Sequence, residues 1–189
     1  MQFRVLGAVE VLVGGHPISL GGPKQRTVLA TLLVHPNQVV PAEDLIDQVW
    51  GEDPPDTARK TLQGYVTHLR RALGPDRLQW RAPGYVLSVV PRELDVAQFE
   101  ALVRQAKATD ASRDRASILY RRALEQWRGP AFADVGSDGA IAAEAHRLEE
   151  LRLEALEARI AADLDAGRHN EVVPELTALT GERGHSAGS

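Results

Sequence analysis

Residues 56–74 read DTARKTLQGYVTHLRRALG, with four Lys or Arg and no acidic residue after Asp56, in a chain whose formal net charge is −4. Leu62, Val66, Leu69 and Leu73 recur at helical spacing, which predicts a long helix over 57–73 with one apolar face. Asp56 is a favoured N-cap residue and Gly74-Pro75 a stop. With the apolar face turned to a core, Thr57, Lys60, Gly64, Thr67, His68 and Arg71 point roughly the other way. Thr61 lies at one margin, and Arg59, Gln63 and Arg70 on the flank. Lys and Arg suit phosphates or guanine edges, and Thr and His can donate to either. Glycine inside a helix costs about 1 kcal/mol relative to alanine, and close backbone approach would account for Gly64. Solvation of an exposed face alone would also favour the charges, and the helix by itself does not decide.

Working outward, the flanking pattern does more. Phe3 and Val5, then Val9, Val11 and Val13, then Ile18 and Leu20 alternate with period two around a Gly14-Gly15 turn, as strands do. Pro23 suits the first turn of a helix carrying Val28, Leu29, Leu32 and Leu33, which must stop near His35 before Pro36. A short helix after Pro41 buries Leu45, Ile46, Val49 and Trp50. Past the basic helix, RLQWRAPGYVLSVV (77–90) reads as a hairpin, with Pro83-Gly84 fitting a type II turn and Arg81 beside its tip. Strands, three helices and a terminal hairpin make a winged helix-turn-helix, an α+β domain over 1–92. The third helix is then the candidate for the major groove of DNA, and a wing arginine suits the narrow minor groove.

After a boundary near Pro91–Leu94 the period is helical. Asp95 caps a helix with Val96, Phe99, Leu102 and Val103 inward, and a second runs over about 110–128 with Leu119, Tyr120, Ala123, Leu124 and Trp127 as its apolar side. A third covers roughly 140–166 up to Gly167, and a fourth holds Val172, Val173, Leu176 and Leu179. This predicts an all-α domain over 95–180 and a flexible tail over 181–189. Residues 1–92 hold ten Lys/Arg against eight Asp/Glu, and residues 93–189 twelve against eighteen, so a basic first half precedes an acidic second.

Composition excludes several classes. There is no cysteine, hence no disulfide framework and no thiolate metal site. No apolar run reaches membrane-spanning length, and MQFRVLG lacks a signal-peptide layout, so the expectation is cytoplasmic, near the nucleoid, with no membrane partner. GHSAG (184–188) matches G-x-S-x-G but lacks the following helix and downstream partners of a hydrolase. The six histidines show no ligand spacing, and GGHPISLGGPKQ (14–25) lacks P-loop spacing. No enzyme, metal or cofactor is expected.

DTARKTLQGYVTHLRRALG, with LIDQVWG (45–51) before it and APGYVL (82–87) after it, resembles the OmpR/PhoB-type winged helix found in SARP/AfsR-like transcriptional regulators. LDVAQFEALV (94–103), LYRRALEQWRGPAFAD (119–134) and the helical stretch from Glu144 to Leu179 resemble the bacterial transcriptional activation domain of that family, a TPR-like helical-hairpin domain. The resemblance implies promoter binding at direct repeats by a head-to-tail homodimer on DNA, recruitment of RNA polymerase, and regulation of secondary-metabolite (antibiotic) gene clusters. By position it implies DNA contacts by Lys24, Arg26, Trp50, Thr57, Lys60, Thr61, Gly64, Thr67, His68, Arg71, Arg77 and Arg81. For Trp50, core packing is an equal reading. The loop Gly51, Glu52, Asp53, Pro54, Pro55, Asp56 takes the place that faces the polymerase sigma subunit. Family activation domains continue through further helical hairpins where this chain ends in HSAGS, which implies a shortened domain. The rival reading is a protein-interaction adaptor whose winged helix no longer binds DNA specifically.

Overall fold

The computed structural model describes residues 1–109, 113–136 and 138–168. The expected helix through Val172–Leu179 and the tail lie outside the described residues. By contacts the chain divides into one unit of residues 1–98 with 126–150, and a second of 99–125 with the residues from 151 onward. In space, then, the stretch Gln126–Glu150 belongs with the N-terminal elements rather than with its neighbours in sequence.

The first unit opens with an antiparallel sheet of β1 (Gln2–Arg4), β2 (Glu10–Val13) and β3 (His16–Pro17), in that order, turning at Gly14-Gly15. Phe3 pairs with Val11, and both are fully buried. Helix α1 (Pro23–Val34) starts on its proline and ends at His35. Next come β4 (Val39–Pro41), α2 (Ala42–Trp50), α3 (Ala58–Leu73), β5 (Leu78–Arg81) and β6 (Gly84–Leu87). The second sheet has the order β4-β6-β5. Leu29 and Leu32 of α1, Leu45 of α2, Leu62 and Leu69 of α3, and Leu78 and Leu87 of the hairpin are shut off from solvent. This is the expected winged helix-turn-helix, and α3 is fixed in rotation by its leucines.

Three local readings need correction. Helix α3 begins one residue later than expected, with Thr57 at the N-cap and no side-chain cap bond, so Asp56 is not the cap. The hairpin turn is Ala82-Pro83, joined by a cis peptide bond, rather than a type II turn on Pro83-Gly84. Gly84 already belongs to β6, where it pairs with Arg81 and Pro41. A Cβ there would lie 1.8 Å from the Val40 carbonyl oxygen, so glycine is required by the close crossing of β4. On α2, Leu45 and Ile46 are buried, but Val49 and Trp50 are only half-buried.

Chain entry into α4 (Asp95–Lys107) is tied to the first strand. The buried Asp95 carboxylate accepts the Val96 amide, as a helix-starting residue should, and also the Val5 and Leu6 amides at 2.9–3.0 Å. Burial pushes this carboxyl above the usual range even though those amides and the Arg128 guanidinium pull it down. Two residues earlier, Glu93 forms a two-pronged pair with Arg77 at 2.6 and 2.7 Å. Arg77, against the opposing effect of burial, holds the Glu93 carboxyl at about 2. A depressed carboxylate stabilises the fold above its unfolded value near 4.5 and loses that contribution as pH falls towards 2. Glu93→Gln should therefore remove about 1–2 kcal/mol at pH 6 and roughly a quarter of that at pH 2.5. Urea unfolding at both pH values checks it, and an equal loss at both would refute the assignment.

The second unit combines the later part of α4 with α5 (Arg113–Leu124) and the later part of α6, which spans Gly139–Asp165. Phe99 and Val103 of α4, and Tyr120 and Ala123 of α5, are buried as expected; Leu119 and Leu124 are half-buried. Ala155 and Ala162 of α6 are buried, and small residues there let the helices approach closely. At the end of α6 the carboxylate of Asp163 is completely buried and takes Ser117, Arg121, Arg159 and Arg168 as partners.

Candidate nucleic-acid interface

Rotation of α3 by its buried Leu62, Val66, Leu69 and Leu73 leaves Lys60, Gly64, Thr67 and Arg71 exposed in one row. Among the described residues neither Lys60 nor Arg71 takes part in an ion pair, so their charges face solvent. A Cβ on Gly64 would meet nothing within 4 Å. Packing inside the chain therefore gives no reason for glycine at this position. Thr67 donates its hydroxyl to the Gln63 carbonyl, 2.8 Å away. Thr57 is exposed at the helix start, and Thr61 is half-buried at the margin.

His68 does not join this row. Its ring is half-buried, with Nε2 shielded from solvent and lacking a hydrogen-bond partner. Nε2 lies 3.2 Å from where a Cβ on Gly21 would sit, so the ring packs against the turn that enters α1. At 100° per residue His68 falls on the same flank as Tyr65, which explains why it turns towards α1 rather than outward.

Two of the expected arginines are committed inside the fold. Arg26 donates to the Val9 carbonyl at 2.7 Å and to Asp134 at 2.6 Å. Arg77 is held by Glu93 and also donates to the Ser88 carbonyl. Lys24, in contrast, is exposed at the start of α1, with Nζ 5.0 Å from the centroid of the Trp50 ring. Trp50 is half-buried and stacks on Tyr65 with centroids 6.0 Å apart and planes 11° from parallel. Trp50 thus couples α2 to α3 and carries a cation on its face.

On the other side of α3 stands the wing. Arg81 is exposed at the end of β5, just before the Ala82-Pro83 turn, and makes no ion pair among the described residues. Arg70 donates Nε to the Leu78 carbonyl at 2.8 Å, fastening the wing to the helix. Trp80, absent from the expected set, is 53% exposed and meets Tyr85 edge-on at 5.0 Å. Its period-two spacing from Leu78, which puts both on one face of β5, was the available signal that it faces α3. The loop Gly51, Glu52, Asp53, Pro54, Pro55 and Asp56 is exposed throughout, and none of its acids forms an ion pair among the described residues. Among the described residues there is no group of three or more metal-ligating side chains, and no helix is long and apolar enough to cross a membrane.

Comparison with known proteins agrees with this geometry. Residues 15–89 match the family described as transcriptional regulatory protein, C terminal, and residues 94–185 match the bacterial transcriptional activator domain. The regulatory protein DnrI of Streptomyces peucetius is 39% identical over 193 residues, covering 95% of this chain and 71% of DnrI. AfsR of Streptomyces griseus is also 39% identical, but this chain spans only 19% of it. The structure of Mycobacterium tuberculosis EmbR, solved with a phosphopeptide, superposes with a TM-score of 0.87 at 34% identity, covering 96% of this chain and 50% of EmbR. Two modules in the same order, shared at this identity with a relative covered over most of its length, place the chain in the SARP family of transcriptional regulators.

Proposed function

We propose that the protein is a sequence-specific transcriptional activator that binds direct-repeat promoter sites as a head-to-tail pair and recruits RNA polymerase, at genes for secondary metabolites. The observation that carries the DNA reading is the exposed row Lys60, Gly64, Thr67, Arg71 on a helix whose opposite face is buried core. In this reading α3 enters the major groove and Arg81 reaches the adjacent minor groove. Lys24 and Trp50 grip a phosphate beside the helix, with Thr57 and Thr61 near the backbone at the helix start. Arg26, Arg77 and His68 position these elements instead of touching DNA. The exposed acidic loop 51–56 is the surface offered to the polymerase sigma subunit.

Selection of bound duplexes from a random pool, followed by titration of the winner at several salt concentrations, tests the reading. Two half-sites about one helical turn apart should emerge. The phosphate contacts assigned to Lys24 and Arg71 would each contribute about −0.9 to the log–log salt slope, so one protomer gives roughly −2 and a bound pair roughly −4. No enriched motif, with weak binding that is lost at moderate salt, would instead support an adaptor that no longer reads DNA.

A further inference from the structure

Between α3 and the wing runs a groove of about 380 Å³ lined by Gln63, Val66, Thr67, Arg70, Trp80 and Tyr85. We propose that this groove seats one sugar-phosphate strand of the bound duplex, with the Trp80 ring packed on a deoxyribose. The inference rests on the DNA-binding reading above and adds to it a contact that the basic row does not supply.

The argument is geometric. In B-DNA a major groove and the neighbouring minor groove are separated by a single backbone strand. With α3 in one and Arg81 in the other, that strand must cross the space between them, and the groove is that space. Its walls suit such an occupant. The flank of α3 supplies Gln63 and Thr67, both exposed, and the half-buried Arg70. No acidic residue lines it. The opposite wall is the exposed indole of Trp80, held edge-on by Tyr85, whose ring is buried in the hairpin. A deoxyribose presents an apolar face between two phosphates, and an indole flanked by polar donors matches that alternation.

Arg70 also fixes the width of the groove. Its bond to the Leu78 carbonyl ties β5 to α3 at the floor, so the two walls stand at a set separation before DNA arrives. Trp80 is therefore a positioning contact. It sets how deeply the helix and the wing enter their grooves, and it carries no base preference of its own.

Trp80→Ala and Trp80→Phe, titrated with the selected duplex and a scrambled one, test the proposal. Covering half an indole face should be worth about tenfold in affinity, so Trp80→Ala should weaken both duplexes by about that factor. The ratio between duplexes and the salt slope should stay unchanged, because no phosphate charge is neutralised by the ring. Trp80→Phe should recover most of the loss. As a check independent of truncation, the Trp80 resonance of 5-fluorotryptophan-labelled protein, identified by its absence in Trp80→Phe, should shift when duplex is added. Affinity within twofold of wild type for both duplexes, or an unmoved Trp80 resonance, overturns the proposal while leaving the DNA reading intact. A loss confined to the selected duplex overturns the backbone assignment in favour of a base contact. A wild-type protein that binds neither duplex overturns both readings.

Discussion

Replacing Asp163 by alanine should cost the second unit about 3–5 kcal/mol, the largest stability loss expected of any single substitution in this chain. Asp163 has no solvent exposure. It accepts the Ser117 hydroxyl, Arg121 at 2.8 Å, and Arg168 through Nε at 3.0 Å and Nη2 at 2.8 Å, with Arg159 at 3.5 Å. Burial works against its charge, but the Ser117 hydroxyl and the guanidinium groups of Arg168 and Arg121 outweigh it and hold the carboxyl below its usual value. Removing the carboxylate takes the anion away from the nearly buried Arg159, while Arg121 and Arg168 keep part of their surface in water. Arg159 is itself 5% exposed, so it cannot simply turn outward. Asp163→Asn keeps one acceptor oxygen but directs an amide towards guanidinium donors, and it should recover less than half of the loss. Urea unfolding followed by far-UV circular dichroism measures both variants. A loss below 1 kcal/mol for Asp163→Ala would mean that this centre contributes no more than a surface pair does.

How much of this was legible in the sequence depended on range. Elements of the winged helix could be read because their signals are local: Pro23 at a helix start, the four apolar positions of α3, and the Gly14-Gly15 turn between two strands. The row Lys60, Gly64, Thr67, Arg71 followed from the same local period. Partner choice was not legible. Arg26 and Lys24 are equivalent as neighbours in sequence, yet Asp134, 108 positions away, takes Arg26 and leaves Lys24 exposed. His68 lay within the outward half by angle, and only the packing of α1 beside α3 draws it inward. The Asp163 centre was invisible for the same reason, since Ser117 and Asp163 lie 46 positions apart and neither residue type announces burial. Gly84 shows a subtler failure: it was read as a turn residue, whereas the close approach of β4 is what requires glycine there.

The structure also separates the residues that hold α3 from those left on its outward row. Trp50 stacked on Tyr65 braces α3 on one flank, and Arg70 bonded to the Leu78 carbonyl braces it on the other. Glu43 occupies Arg59 near the helix start. Arg59 and Arg70 on the flanks of α3 are thereby given structural partners, whereas among the described residues Lys60, Arg71 and Arg81 form no ion pair. For the DNA contact proposed above, such bracing would give a defined register with little side-chain rearrangement on binding.

Lys60→Ala combined with Arg71→Ala should then reduce affinity for the selected duplex by about two to three orders of magnitude at physiological salt, the largest functional loss expected. Both side chains are exposed on a helix whose core contacts lie on the far side, and alanine is the best helix former, so melting temperature should hold within a few degrees. The two positions separate when titrated singly. A phosphate contact weakens selected and scrambled duplexes alike and reduces the salt slope by about 0.9. A guanine contact instead costs about 1–3 kcal/mol on the selected duplex and flattens preference at one base pair. Lys60 lies near the start of α3 and Arg71 near its end, 11 residues or about 16 Å apart along the axis. The N-terminal part of a recognition helix is the part that reaches base edges. Lys60→Ala is therefore the variant expected to change sequence preference, and Arg71→Ala the one expected to change salt dependence. If the double variant bound the selected duplex as wild type does, the outward row of α3 could not be the face that meets DNA.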